Sequence, residues 1–174
     1  MRSISTTREV LTRTSRVLDG WLRGLPDVGT RAQDGSDTWS AYDVVGHLVH
    51  GEKTDWVPRA RIILEHGDTR PFEPFDRFAQ LRRQNESIDQ RLDDFAALRR
   101  ASLTALDEMA LTPTDLERRG RHPELDAVTL GELLAAWTAY DLDHIVQISQ
   151  VMARRYRDDV GVWRQYLGVM RESV

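Results

Sequence analysis

Cysteine is absent from this 174-residue sequence. The chain therefore has no disulfide, thiolate metal ligand or cysteine nucleophile, and any metal would be bound through nitrogen and oxygen. Long apolar runs are missing too: no stretch approaches the roughly 18 apolar residues that a membrane span needs. Residues 1–14 lack the apolar core of a secretory signal. We therefore expect a cytoplasmic protein with no membrane partner.

Blocks of like charge are also missing, and the net charge is −4. A protein that binds nucleic acid needs a basic face for the phosphates, so this charge argues against a nucleic-acid partner. Lysine is nearly absent, with Lys53 its one occurrence among 24 basic residues, which we attribute to GC-rich codon usage. Hydrophobic residues make up 40% and charged residues 30%, a balance typical of a soluble globular protein. The length fits a single domain, residues 1–174.

Apolar residues recur at helical spacing along nearly the whole chain, and alternation with period two is sustained nowhere. The pattern predicts long helices at about 6–25, 40–66, 75–109 and 129–157, and a short one at about 160–170. Ser40 and Thr129 are predicted N-caps, each with an acidic residue three positions later, and Pro58 should kink the second helix. With 112–128 as an irregular crossover, these elements predict an all-α fold, an antiparallel four-helix bundle with a short extra C-terminal helix.

Two of the five histidines are predicted to point into the bundle. His47 lies on or beside the apolar stripe of the second helix, and His144 shares the inward face of the fourth helix with Trp137. Inward histidines on different helices are how bundles build metal sites, and neutral imidazole is a common ligand of zinc, nickel and iron. The alternative is that each is a partly buried histidine bonded to a neighbour.

Two motifs extend this prediction. Residues 38–48, TWSAYDVVGHL, resemble the W-S-x-x-[DE]-x-x-x-H-L opening of the second helix in DinB-like proteins. Residues 129–148, TLGELLAAWTAYDLDHIVQI, resemble the T-L…W-x-x-H-D-x-x-H-x-x-Q-I helix of the same bacterial family. Residues 95–99, 120–125 and 151–163 also match in register, so the resemblance covers almost the whole chain.

The resemblance implies a four-helix bundle, often dimeric, that holds a divalent metal with three histidines at one end. Family members include S-transferases and isomerases that use a low-molecular-weight thiol, and many others are labelled metal-dependent hydrolases. His47 and His144 match the first and third ligands, whereas Tyr140 stands at the second position. The spacing of four residues keeps Tyr140 on the same face as His144, but a phenol with an ordinary pKa near 10 is a poor ligand.

Three arrangements are left open by this change. Tyr140 coordinates the ion as a phenolate; or a carboxylate, Asp141 or Asp43, enters the site; or the site holds no metal, and Tyr140, His47 and His144 form a hydrogen-bonded polar cluster. Two histidines alone would leave the ion coordinated mostly by water.

Four further residues receive predicted places. Trp39 and Trp137 are expected to wall a cofactor-binding cavity beside the histidines, and the resemblance puts His122 near its mouth. Glu52 is expected on a solvated helix surface.

Two functions from different classes follow. The first is a metal-dependent enzyme, a hydrolase or a thiol S-transferase, with a degenerate His-Tyr-His site and a small-molecule substrate. The second is a metal-free bundle that binds a small ligand or acts as a dimeric interaction module. No residue is assigned a catalytic role, and the homodimer is an expectation from the resemblance.

Overall fold

The structure is a computed structural model that describes residues 4–35 and 38–170. Within these ranges the chain forms six α-helices and one two-stranded sheet, and none of the helices is long and apolar enough to cross a membrane. The elements are α1 (Ile4–Leu22), α2 (Asp27–Thr30), α3 (Ala41–Thr54), α4 (Trp56–His66), α5 (Ile88–Glu108), β1 (Arg119–His122), β2 (Asp126–Thr129) and α6 (Leu130–Arg154). The predicted C-terminal helix is present as two 3-10 helices, Gly161–Tyr166 and Gly168–Met170. The all-α prediction is confirmed.

The interior of the bundle has two apolar layers with a charged layer between them. One apolar layer contains Leu18, Leu48, Phe95 and Ile148, and the other contains Leu11, Trp56, Leu103 and Trp137. Four helices cross from one apolar layer to the other, and each has a buried polar residue at the crossing. These residues are Thr14 on α1, Glu52 on α3, Arg99 on α5 and Asp141 on α6.

The order of the layers along each helix gives its direction. α1 and α6 run one way through the bundle, whereas α3 and α5 run the other way. Because α3 and α5 are parallel, residues 67–87 must carry the chain back along the bundle. This return includes a 3-10 helix, Ala79–Arg82.

The return segment corrects the predicted third helix, which was expected to begin at Phe75. α5 begins at Ile88, where Ser87 and Gln90 form a capping box. Phe78 and Leu81, which suggested the longer helix, are 58% and 39% exposed. Their spacing therefore reflects the surface of the return segment and not a helix face turned to the core.

The predicted N-caps Ser40 and Thr129 are confirmed, and each forms a capping box. The second predicted helix breaks at Asp55, so the disturbance predicted from Pro58 is present, but as a full break three residues earlier and not as a kink. Proline has no N–H to donate to the carbonyl four residues earlier. A break three residues before it leaves Pro58 in the first turn of α4, where that N–H is not needed.

Residues 112–128, predicted to be irregular, contain a β-hairpin in which Arg119 pairs with Thr129 and His122 pairs with Asp126. The hairpin packs on α4 through Gly120. A Cβ at this position would lie 2.5 Å from Ile63 Cγ1 and 2.9 Å from Phe72 Cζ, so only glycine allows the strand to approach this closely. This packing places His122 over one end of the site.

Candidate metal centre

A cavity of about 1250 Å³ runs along α3, α4 and α6 beneath the hairpin. Its lining includes His47, Tyr140 and His144, so the structure brings the three predicted ligands to one place. Helix geometry accounts for this arrangement, since Tyr140 and His144 are one turn apart on α6 and both contact His47 on α3.

The two histidines are buried side by side. His47 is 4% exposed and His144 is 7% exposed, and their ring centroids are 5.1 Å apart. Burial, reinforced by His144, lowers the pKa of His47 to about 4, and burial also lowers the pKa of His144. Both rings are therefore neutral at pH 7, and each has a nitrogen lone pair to offer.

The hydrogen bond of His144 identifies its free nitrogen. Its Nδ1 lies 2.7 Å from Gln147 Oε1, and since an amide oxygen only accepts, Nδ1 carries the proton. The lone pair is then on Nε2, which is buried and has no hydrogen-bond partner among the described residues. His47 Nδ1 is also buried and unpartnered there.

Tyr140 lies against both histidines without bonding to either. Its ring centroid is 4.2 Å from that of His144 and 5.7 Å from that of His47. Its hydroxyl is buried and has no partner within the described ranges. Burial, then the charge of Asp55, raises the pKa of this phenol. The hydrogen-bonded cluster predicted for a metal-free site is therefore not formed, and the phenol stays protonated at neutral pH.

The two carboxylates predicted as replacement ligands are bound elsewhere. Asp141 is fully buried and accepts hydrogen bonds from Arg99 and Thr14 on the side away from the cavity. Asp43 accepts from Ser40 in the capping box of α3. Both predictions are corrected, because each carboxylate is held by a structural partner.

Glu52 is also corrected, since it is 4% exposed and not on a solvated surface. Its Oε1 accepts hydrogen bonds from Arg99 Nη2 at 2.9 Å and from Trp137 Nε1 at 3.0 Å. Arg99 in turn forms a two-point bond with Asp141. This charged layer joins α3, α5 and α6 directly beneath the site.

The predicted aromatic walls are half correct in position. Trp39 lines the cavity with its ring 4.5 Å from that of His47, and His122 lines the hairpin end. Trp137 does not line the cavity, because it stacks on Trp56 at 5.8 Å and donates to Glu52. Trp56, on which Trp137 stacks, lines the cavity in its place.

Two of the three donors fit a metal ion. Two imidazoles that bind one tetrahedral ion have ring centroids about 5 Å apart, because each metal–nitrogen bond is about 2 Å, and the separation of His47 and His144 matches this. The unpartnered ring nitrogens fit the same role. The described residues contain no group of three His, Cys, Asp or Glu side chains that could hold the ion. Besides the two histidines, Tyr140 and Gln147 are polar side chains at this place.

The chain is similar to known proteins over most of its length. A protein of Oceanobacillus iheyensis named "Putative metal-dependent hydrolase" is 25% identical over 122 residues, which is 69% of each chain. The solved structure of YfiT from Bacillus subtilis, described as "a probable metal-dependent hydrolase with an unusual four-helix bundle topology", matches with a TM-score of 0.75 and 19% identity, covering 89% of this chain and 90% of that one. The profile of the DinB superfamily matches residues 11–157, most of the chain. This chain belongs to the DinB superfamily.

Proposed function

We propose that this protein is a metal-dependent hydrolase whose divalent ion is bound by His47 and His144. The observation that carries the proposal is the pair of buried, neutral imidazoles with unpartnered nitrogens, 5.1 Å apart at the wall of a cavity. An unpartnered buried nitrogen is costly, and a metal ion would satisfy both. The name of the Oceanobacillus relative supports the same reaction class.

Tyr140 serves the reaction as a hydrogen-bond donor and not as a ligand. Burial and the nearby carboxylates keep its phenol protonated, so its O–H is available to an oxygen of the substrate on which negative charge develops. Gln147 holds His144 in the tautomer that leaves Nε2 free. The ion, when bound, lowers the pKa of a water or thiol so that a nucleophile exists at neutral pH.

A metal-dependent thiol S-transferase is an alternative to the hydrolase at the same site. The chain has no cysteine, so the thiol would be a second small molecule bound in the cavity. The cavity volume of about 1250 Å³ is somewhat above the usual range for a pocket that holds one drug-sized ligand. This size supports two substrates, whereas hydrolysis needs one substrate and water.

A metal-free ligand-binding protein is the second candidate. The observation in its favour is that the phenol with a raised pKa stands where the family has a third imidazole. With two protein nitrogens only, affinity for a divalent ion falls steeply. In this case the cavity binds a small molecule without chemistry.

Metal analysis of protein purified without a nickel column tests the proposal. We expect about one ion per chain, lost in His47→Ala and His144→Ala and retained in Tyr140→Phe, which should lose turnover only. His66→Ala, on the exposed end of α4, is the matched control. Wild-type protein that stays metal-free after incubation with zinc, nickel or ferrous iron would leave ligand binding as the function.

A further inference from the structure

A buried ion pair that the proposed reaction does not use lies in the wall of the cavity. Asp55 is 6% exposed and Arg59 is 7% exposed, and the two form a salt bridge one turn apart at the start of α4. Both residues line the cavity that holds the histidines. Asp55 is close enough to Tyr140 to influence the pKa of its phenol.

The guanidinium of Arg59 is only partly satisfied. Its Nε faces Asp55, and its Nη2 makes one long contact of 3.5 Å with the carbonyl oxygen of Glu73. Its Cζ lies 5.1 Å from the ring centroid of Phe72, which holds the group in place from one side. Nη1 has no hydrogen-bond acceptor among the described residues. A buried arginine therefore presents free N–H donors at the cavity wall.

His122 provides a second donor at the same end. Its Nδ1 accepts hydrogen bonds from the backbone N–H groups of Glu124 at 3.1 Å and Leu125 at 3.2 Å. The proton of the neutral ring is therefore on Nε2. Its ring meets that of Phe72 edge to face at 6.1 Å, and the charge of Arg59 helps to lower the pKa of His122 after burial. Two donor groups without an acceptor among the described residues thus both contact the ring of Phe72.

Such an arrangement lacks an acceptor, and beside a buried cation an anionic acceptor is bound most strongly. Asp55 stays ionised at neutral pH, although burial raises the pKa of its carboxyl to about 6, but it faces the Nε side of Arg59, so an incoming anion would meet the Nη1 side. The other carboxylates near this end, Glu124 and Glu132, are exposed, so solvent screens them. The cavity that contains Arg59 and His122 also has an aromatic lining, which includes Trp56, Phe72 and Phe75.

We propose that Arg59 and His122 form a subsite for the anionic group of an aromatic small molecule whose other end reaches His47 and His144. The substrate class is thus an aromatic compound with a carboxylate, sulfonate or phosphate group. Only the placement of its reacting end rests on the proposed function. Binding of the anionic group requires no metal.

Two naphthalene probes with the same skeleton test this subsite in the metal-free protein. Anilinonaphthalene sulfonate carries the anion, and phenylnaphthylamine is its neutral counterpart; both are followed by fluorescence titration. We expect Asp55→Asn to tighten sulfonate binding by about fivefold, because it releases Arg59, and the double variant Asp55→Asn/Arg59→Gln to weaken it by about tenfold, the size of one charged hydrogen bond. Arg61→Gln, exposed on the same helix, should change neither probe.

The double variant leaves no unpaired buried charge, so it is expected to fold, and near-ultraviolet circular dichroism checks this. Affinity for the neutral probe should stay within about twofold in every variant, since it depends on apolar burial alone. Weaker sulfonate binding in Asp55→Asn, or equal losses for both probes in the double variant, would show that the pair is structural. Zinc titration of the same variants tests the two proposals separately. It reports metal binding at the histidines, whereas the probe titrations use the metal-free protein and report only the subsite. A protein that binds no zinc can therefore still give the expected probe results.

Discussion

The tautomer of His144 depends on a single side chain. Gln147 Oε1 accepts the Nδ1 proton at 2.7 Å, one turn further along α6. Without this acceptor the proton moves between the two nitrogens, and part of the population carries it on Nε2. The lone pair that a metal needs at Nε2 is then lost in that fraction.

We expect Gln147→Leu to weaken zinc affinity by about tenfold, the lower end of the range for residues that orient a ligand. In the metal-free protein, nitrogen chemical shifts of the His144 ring should move from a pure Nδ1–H form to a mixture of tautomers. Gln150→Leu, a partly buried glutamine at the cavity wall, is the control. Unchanged ring shifts in Gln147→Leu would remove the orienting role.

Residues of the site differ in how far the sequence predicts them. The places of His47, Tyr140 and His144 follow from motif spacing, because helical periodicity fixes which residues share a face. Asp55 and Arg59 were not identified, since their burial depends on the helix break that Pro58 imposes three residues upstream. Glu52 was placed on the surface because a lone carboxylate beside apolar residues gives no sign of a partner 47 positions away.

At the scale of elements, the charged layer sets how the helices that carry the site meet. Arg99 reaches from α5 to Glu52 on α3 and to Asp141 on α6. Arg99 and both carboxylate side chains are 2% exposed or less. Glu52 is five residues from His47, and Asp141 is three from His144, so the layer fixes the relative positions of the two histidines.

Asp141→Asn should lower the free energy of unfolding by about 2 kcal/mol, because it removes the two-point charged hydrogen bond to the buried Arg99, which keeps Glu52 as its remaining charged partner. Asp107→Asn is the matched control, since its bond to Arg8 is exposed and such pairs contribute about 1 kcal/mol or less. Urea unfolding followed by circular dichroism measures both. Equal losses in the two variants would contradict a structural role for the layer.

Caps decide how well the helices themselves are predicted. Ser40 and Thr129 precede clear apolar stripes, and their helices begin where the capping box places them. Ser87 and Gln90 form an equally good box, yet the apolar residues before it extended the predicted helix to Phe75. The spacing of apolar residues alone cannot distinguish a helix from an irregular segment that lies along the bundle surface, as the return segment 67–87 does.

At the scale of the whole molecule, α6 has one face in the core and another open to solvent. Leu142 and Val146 on that open face are 50% and 52% exposed, and Ala139 and Ala135 continue the stripe one and two turns earlier. The spacing of four, three and four residues is that of a seam between packed helices. We propose that this stripe is the contact surface of the expected homodimer, with α6 of one copy against α6 of the other.

We expect the protein to elute at twice the mass of the chain in size-exclusion chromatography with light scattering, and Leu142→Glu to elute as a monomer. A carboxylate in this seam would be desolvated opposite its own symmetry mate, which costs several kcal/mol. Leu125→Glu, at another apolar position that is 70% exposed in the hairpin, should remain dimeric.

Because Val146 also lines the cavity, the dimer would cover one edge of the site. Leu142→Glu should then speed the release of the naphthalene probe. A monomeric wild-type protein, or a dimer insensitive to Leu142→Glu, would place any interface elsewhere.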